Sequence, residues 1–424
     1  MEITKKGIVL IVIIILLISS SCAVLFNTRY FPDEEVPKAN MPEKAEKTEP
    51  ENTAATELSA FDVVKKMGVG WNLGSTLESI DNNKRGILSE FIGSTPEVFY
   101  ETYWGNPVTT AAMVDSVAKA GFGAIRIPVT YTDHMDGNFV IRREWLERVE
   151  QVVNYVLDND IYCIINIHHD TGSGRWPWLK ADAGNIENLE KQFAAVWKQI
   201  AEHFKDYNNK LIFEAFNEIL DLDDNWVKSG DAAYDAVNRL NQVFVDTVRG
   251  TGGENADRFL IIKSYSASVD SEMLDSFVVP RDSKEGKLIF SFHYYGLHEF
   301  ILQQNQAKWT TTYADWDQQR DGRPVELLME RASTKLKGIP VIIGEFGAQN
   351  KGNTNARIQY ATHFIKTAAK YGISCFWWDN GGKYENAYAV RNYALLDRYN
   401  NQWFFPELVE AMVKAANESK LHAP

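Results

Sequence analysis

The chain has 424 residues, enough for one large domain, and its 45% hydrophobic and 24% charged content is that of a globular protein rather than a disordered one. A formal net charge of −13, with no basic run, argues against a nucleic-acid partner. Its three cysteines, Cys22, Cys163 and Cys375, are far apart and form no C-x-x-C pair, so they point to neither a disulfide framework nor a zinc site.

In chain order, the first element has the pattern of an export signal. Lys5 and Lys6 precede an apolar stretch over residues 7–18, closed by Ser19, Ser20, Ser21 and Cys22. ISSSC resembles a bacterial lipobox, whose cysteine is acylated, although Ser19 stands where that pattern prefers leucine. Apolarity resumes over 23–26, so the segment reaches about 20 residues and also suits an uncleaved membrane anchor. Residues 1–26 are therefore expected to take the chain out of the cytoplasm. Acylation at Cys22 and a retained anchor both fit attachment to a membrane or cell surface, with simple secretion as the third alternative. Residues 27–57 are rich in Pro, Glu, Lys and Ala and read as a flexible tether. The folded domain is expected over 58–420.

From there short apolar runs alternate with segments of helical period. The runs are 69–73, 124–129, 162–167, 211–216, 259–262, 288–292, 340–343 and 374–378. The helical segments are 110–120, 142–157, 188–203, 232–248, 325–337 and 354–370, and Gly121 and Gly372 follow two of them where a C-terminal cap belongs. Eight such runs in about 360 residues without a second linker predict an α/β fold, a single (β/α)8 TIM barrel. The fifth unit is the weakest, because 264–280 shows little helical period. A doubly wound open sheet is the alternative, but no glycine-rich phosphate fingerprint follows the first strand.

Active sites of such barrels form at the C-terminal strand ends, and the polar residues collect there. Asn72, Arg126, His168 with His169 and Asp170, Asn217 with Glu218, His293 with Tyr295, Glu345, and Trp378 with Asp379 and Asn380 close successive runs. Asn217 and Glu218 are adjacent, so both face the site only if the strand ends or bulges there. Glu214, two residues deeper, is then an interior carboxylate in need of a partner, which Arg126 or a histidine can supply. Glu218 and Glu345, three strands apart, face each other across the mouth. Hydrolysis of a glycosidic bond needs such a pair: one carboxyl gives the leaving oxygen a proton, and one carboxylate attacks the anomeric carbon. Arg126 is read as the only cation among the strand-end residues, able to keep one carboxylate ionised.

The motifs GWNLGSTLE (70–78), WGNPVTT (104–110), GFGAIRIPVTY (121–131), IINIHHD (164–170), IFEAFNE (212–218), FHYY (292–295), IIGEFG (342–347), CFWWDNG (375–381) and ALLDRYNNQWFFPELV (394–409) together resemble glycoside hydrolase family 5. Their order and spacing are most like subfamily 4, which holds endo-acting β-glucanases, xyloglucanases and lichenases. The resemblance implies a retaining endo-β-1,4-glucanase with Glu218 as acid/base and Glu345 as nucleophile. It assigns Arg126, His168, Asn217, His293, Tyr295 and Trp378 to the remaining core positions, and Asn72, at the end of the first run, is read with them as substrate-binding. It also implies a β-glucan substrate (cellulose, xyloglucan or mixed-linkage glucan) and no cofactor; the chain is expected to be a monomer. Two departures bear on substrate preference: Ser75 stands where asparagine usually follows WNLG, and Gly296-Leu297-His298 stands where Pro-Trp is common.

Competing readings exist. His168, His169 and Asp170 invite a zinc site, but adjacent strand histidines point opposite ways, and there is no H-x-H and no strand-end lysine to complete one. No metal is therefore expected. A non-catalytic glycan-binding barrel would share the groove, but both glutamates are present. Trp71, Trp104, Trp176, Trp178, Trp226, Trp309 and Trp316 fall at strand ends or in loops and are expected to line a stacking cleft.

Overall fold

The computed structural model describes residues 58–81, 95–173, 177–303, 307–381 and 392–420. The expected export signal and tether, with Cys22, and also Trp176 lie outside these residues. The chain divides after Thr56, and the description concerns the unit Glu57–Pro424.

Eight parallel strands close into a barrel in sequence order. They are β1 (Val69–Leu73), β2 (Ala124–Ile127), β3 (Tyr162–Asn166), β4 (Leu211–Glu214), β5 (Leu260–Ile262), β6 (Leu288–Tyr294), β7 (Val341–Phe346) and β8 (Ser374–Asp379). The ring closes where β1 pairs β8, with Asn72 beside Trp378. The helices Ala111–Lys119, Arg143–Leu157, Ile186–His203, Asp231–Gly250, Arg323–Lys335 and Thr354–Lys370 fall on the six predicted segments. Gly121 and Gly372 take φ of +102° and +70°, the left-handed conformation a helix C-terminus asks of glycine. After β5 come a 3-10 turn at Tyr265–Ala267 and the six-residue helix Ser271–Ser276, in keeping with the weak period there. Among the described residues no helix is long and apolar enough to cross a membrane.

Each helix forms because its apolar residues recur on one face. In Arg143–Leu157 the buried positions are Trp145, Leu146, Val149, Val152, Val153 and Val156, a stripe at three- and four-residue spacing. Strands instead alternate. Ile125, Ile127, Cys163, Ile165, Phe213, Phe290 and Phe292 join the outer core under the helices. Ala124, Ile164, Ile212, Ile261, Ile289, Ile342 and Phe376 meet inside the barrel with Val63, Val64 and Met67 of the helix Ala60–Met67, which closes the foot of the barrel. Counting on by two from this inner layer gives the next one: Arg126, Asn166, Glu214, Lys263 and Ser291, all fully buried.

On β7 alternation alone would aim Glu345 the wrong way. Ile342 is inside, so Gly344 would follow it inwards and Glu345 would face the helices. The register corrects this. Phe292 of β6 pairs Ile343 but His293 pairs Glu345, and on the other side Cys375 pairs Ile343 while Trp377 pairs Phe346. β7 thus carries one extra residue against both neighbours, a bulge that turns Glu345 into the barrel mouth. The position suits glycine, because a Cβ on Gly344 would lie 2.7 Å from Ser291 Oγ and 3.2 Å from His293 Nε2. Gly344→Ala is therefore expected to destabilise the fold by about 1 to 3 kcal/mol, and to lower activity at temperatures where the variant is still folded. Thermal unfolding and activity measured together check this; a variant as active and as stable as the parent would mean that the bulge does not depend on glycine.

Candidate active site

The polar layer is a charge network that the barrel cannot leave unpaired. Arg126 uses all five of its N–H groups. Nε and Nη2 donate to the two carboxylate oxygens of Glu214 at 2.6 and 3.0 Å, and Nη2 also donates to Asn217 Oδ1 at 3.0 Å. Nη1 donates to Asn72 Oδ1 at 3.0 Å and to Glu345 Oε1 at 2.7 Å. Lys263, at the end of β5, pairs with Glu214 as well and lies 2.9 Å from His293 Nε2. Two cations therefore face two carboxylates. Burial works against the Glu214 anion, but the charges and hydrogen bonds of Arg126 and Lys263 outweigh it and hold the carboxyl below its ordinary value. Burial also pulls Lys263 down, with the charge of Glu214 opposing.

Lys263 corrects the reading of Arg126 as the lone strand-end cation. Its signal was its parity: Ile261 is inside, so Lys263 must be inside too. The lysine does not turn the site into a metal centre. Glu218, His293 and Glu345 offer ligand atoms within 4.8 Å of one another, but Arg126 and Lys263 already neutralise this region, and an added divalent cation would sit against both.

Above this layer lie the two candidate glutamates. Glu345 accepts from Arg126 on Oε1 and from the Tyr295 hydroxyl on Oε2 at 3.0 Å, and His293 Nδ1 stands 3.6 Å from Oε2. Burial raises the Glu345 carboxyl above its ordinary value, with Arg126, Lys263 and Tyr295 pulling the other way. A guanidinium at 2.7 Å that cannot lose its proton favours the anion there. Glu218 is reached because β4 ends at Glu214 and the chain then bends, Asn217 N–H donating to Ile167 O. Its Oε1 lies 2.7 Å from His293 Nδ1. His168 is buried with Nδ1 3.2 Å from Asn166 Nδ2. Asn166 Oδ1 accepts from Val129 N–H, so the amide NH2 faces the ring and His168 carries its proton on Nε2. The His168 ring lies parallel to Trp378, 5.9 Å away.

The two glutamates open into a cleft of about 530 Å³ that also contains His168, Asn217, Tyr295 and Trp378, with Trp226 and Trp309 exposed on its sides. A cavity of about 370 Å³ lies elsewhere, beside Phe61 and Tyr371, and has no carboxylate in its lining. Asn72 and Arg126 are fully buried beneath the cleft: Arg126 holds Glu345 and Asn217, and Asn72 accepts from Arg126 and donates to Gly344 O, next to Glu345. His293 spans both levels. His169 lines the cleft as well, edge-on to Trp104.

Three of the expected stacking residues come out differently. Trp71 is fully buried and donates to Asp379 Oδ2 at 3.0 Å, because Asn72 takes the inward position and its neighbour must point out. Trp178 donates to Asp170 and packs on the core, Trp316 packs against Phe300 and Tyr360, and Trp176 is outside the described residues. Not anticipated are Lys263, fully buried below the cleft, and Ser173, Leu302 and Tyr393 in its walls. Of the two departures from the family pattern, Ser75 has φ +59°, a left-handed conformation that asparagine adopts more readily than serine. His298 meets Trp309 edge-on.

A family model described as Cellulase (glycosyl hydrolase family 5) matches residues 82–384. Endoglucanase A of Clostridium longisporum is 36% identical over 363 residues, which cover 85% of this chain but 66% of that relative. A GH5-4 broad specificity endoglucanase from Ruminococcus champanellensis with bound cellotriose superposes with a TM-score of 0.76 at 36% identity, covering 85% of this chain and 100% of the other. A glycoside hydrolase 5 lichenase from Caldicellulosiruptor sp. F32 in complex with cellotetraose gives 0.76 at 37% identity, with 89% and 99% covered.

Because Glu214 answers both cations, Glu214→Gln should destabilise the protein by about 3 to 5 kcal/mol, the usual result of removing one partner from a buried ionic set. Urea unfolding reads this directly, and an unshifted midpoint would mean that Glu214 is not needed to neutralise Arg126 and Lys263.

Proposed function

This chain belongs to glycosyl hydrolase family 5, and on that premise we propose that it is a retaining endo-β-1,4-glucanase. The observation that carries the reading is the spacing and inequality of two carboxylates. Oxygens of Glu218 and Glu345 approach within 4.8 Å, close to the separation of about 5 to 5.5 Å that lets a carboxylate attack carbon directly and too tight for the intervening water of an inverting enzyme.

In the first step Glu345 attacks the anomeric carbon while Glu218 passes its proton to the departing glycosidic oxygen. The carbon–oxygen bond of the leaving sugar breaks and an ester to Glu345 forms. In the second step Glu218, now a carboxylate, takes a proton from water as that water attacks the same carbon and displaces Glu345. Arg126 and Tyr295 stabilise Glu345 whenever it is an anion. Asn217 commits its carbonyl to Arg126 and so has its NH2 for a sugar hydroxyl. Trp378, Trp226 and Trp309 offer flat faces to pyranose rings along an open cleft, which supports endo action on a polymer. The cello-oligosaccharides bound to the two similar structures support a β-glucan as substrate.

Proton NMR during early hydrolysis of a cello-oligosaccharide should show the β-anomer of the new reducing end first, with the α-anomer growing later by mutarotation. An initial α-anomer would make Glu345 a base acting through water. Failure to release reducing ends from any soluble β-glucan would leave a glycan-binding barrel in place of an enzyme.

We also infer export and attachment at the cell surface, from Lys5, Lys6, the apolar stretch and Cys22. If Cys22 is the acylated residue, Cys22→Ser should leave a larger, unprocessed precursor in the producing cell. Unchanged mass with the protein still in the membrane fraction would favour a retained anchor, and release of the wild-type chain into the medium would sink attachment.

A further inference from the structure

The two-carboxylate reaction does not by itself call for a lysine, yet Lys263 is fully buried directly beneath the reacting groups. Its ammonium pairs with Glu214 and lies 2.9 Å from His293 Nε2. An ammonium has donors and no acceptor, so Nε2 must accept, and in a neutral ring the proton then sits on Nδ1. The ring is neutral: burial, with the charges of Lys263 and Arg126, holds His293 well below its ordinary value. Nδ1–H is aimed at Glu218 Oε1, 2.7 Å away. The donors thus run one way, from Lys263 through His293 to one oxygen of Glu218.

Resting on the retaining reading above, we propose that Lys263 is a positioning residue for the acid/base: by occupying Nε2 it imposes the Nδ1–H form on His293 and keeps the transferable proton of Glu218 on the oxygen that the histidine does not hold. Without the ammonium, the ring can take its proton on Nε2 and present Nδ1 as an acceptor. Glu218 would then give its proton to the histidine instead of the glycosidic oxygen. The groups facing Lys263 are Glu214 from β4, Arg126 from β2, His293 from β6, Glu345 from β7 and His168 after β3. Only His293 joins it to Glu218 in a chain of hydrogen bonds among the contacts described.

Lys263→Met keeps the bulk and removes the donor. Measured as kcat/KM, it should lose about tenfold or more on a soluble β-glucan, whose sugar leaving group needs the proton. On 2,4-dinitrophenyl β-cellobioside, whose leaving group departs without one, the loss in kcat/KM should be at least about threefold smaller than on glucan, what remains reporting the Lys263 charge withdrawn from Glu345 in the first displacement. Lys263→Arg, which restores a charged donor, should recover much of the glucan activity. Equal losses on both substrates would make Lys263 a structural cation only, and no loss on glucan would remove it from the acid/base altogether; either result overturns the proposal. If Lys263→Met does not fold, the wild-type chain labelled with 15N-histidine still decides, its His293 signals assigned by difference against His293→Asn. Nδ1 should be protonated and Nε2 bare; a proton on Nε2 refutes the assignment. A wild-type chain inactive on both substrates would instead count against the glucanase reading, leaving the tautomer measurement to stand independently.

Discussion

Two cations and two carboxylates packed inside the barrel constrain everything above them. Arg126, Lys263 and Glu214 have no exposed side-chain surface, and Glu345 has little, so none can borrow stabilisation from water. Each must be answered by another, and the answers fix geometry. Arg126 has no N–H left over, which ties Asn72, Glu214, Asn217 and Glu345, from three strands, to one guanidinium plane. The orientation of the nucleophile candidate is therefore a by-product of neutralising the interior. This is also why Asn72 and Arg126 belong to the site although neither reaches the cleft.

Most of the fold was legible because strands and helices carry their periods locally. The eight apolar runs and six helical segments fall where the sequence puts them, and the thin fifth unit is thin in both. Much of the site was legible for the same reason: polar residues closing apolar runs mark the strand ends of a barrel. Inward and outward parity goes further still. Taking Asn72 as inward forces Trp71 outward into the core, and taking Ile261 as inward forces Lys263 inward into the charge network. Both follow from counting by two; reading Trp71 as a loop aromatic, and ending the fifth run at Ile262, overlooked that count. The bulge at Gly344 is different. Parity in β7 predicts the wrong face for Glu345, and the extra residue shows only in the register against β6 and β8, which no local pattern in β7 contains. The walls of the cleft are set by loops, so Tyr393, His298 and the outward Trp316 were beyond periodicity altogether.

What separates the two glutamates is the kind of partner each is given. Glu345 is met by a guanidinium and a phenol, groups that favour one charge state and hold both oxygens. That suits a nucleophile, which should be poised as an anion and aimed. A catalytic acid/base has the opposite requirement, since it must be protonated in one half of the cycle and ionised in the other without moving. A guanidinium beside Glu218 would oppose the first state. The Nδ1–H of a neutral histidine opposes neither: it donates to the carbonyl oxygen of the acid and, equally, to an oxygen of the carboxylate, so the side chain keeps its place while its other oxygen loses and regains a proton. Holding that histidine neutral and correctly protonated is in turn what the buried cations do, because their charge keeps a second proton off the ring and the Lys263 ammonium fills its far nitrogen. The same interior charges that favour an anion at Glu345 against its burial thereby permit both states at Glu218, and in the proposed roles two identical side chains take different chemistry from one network.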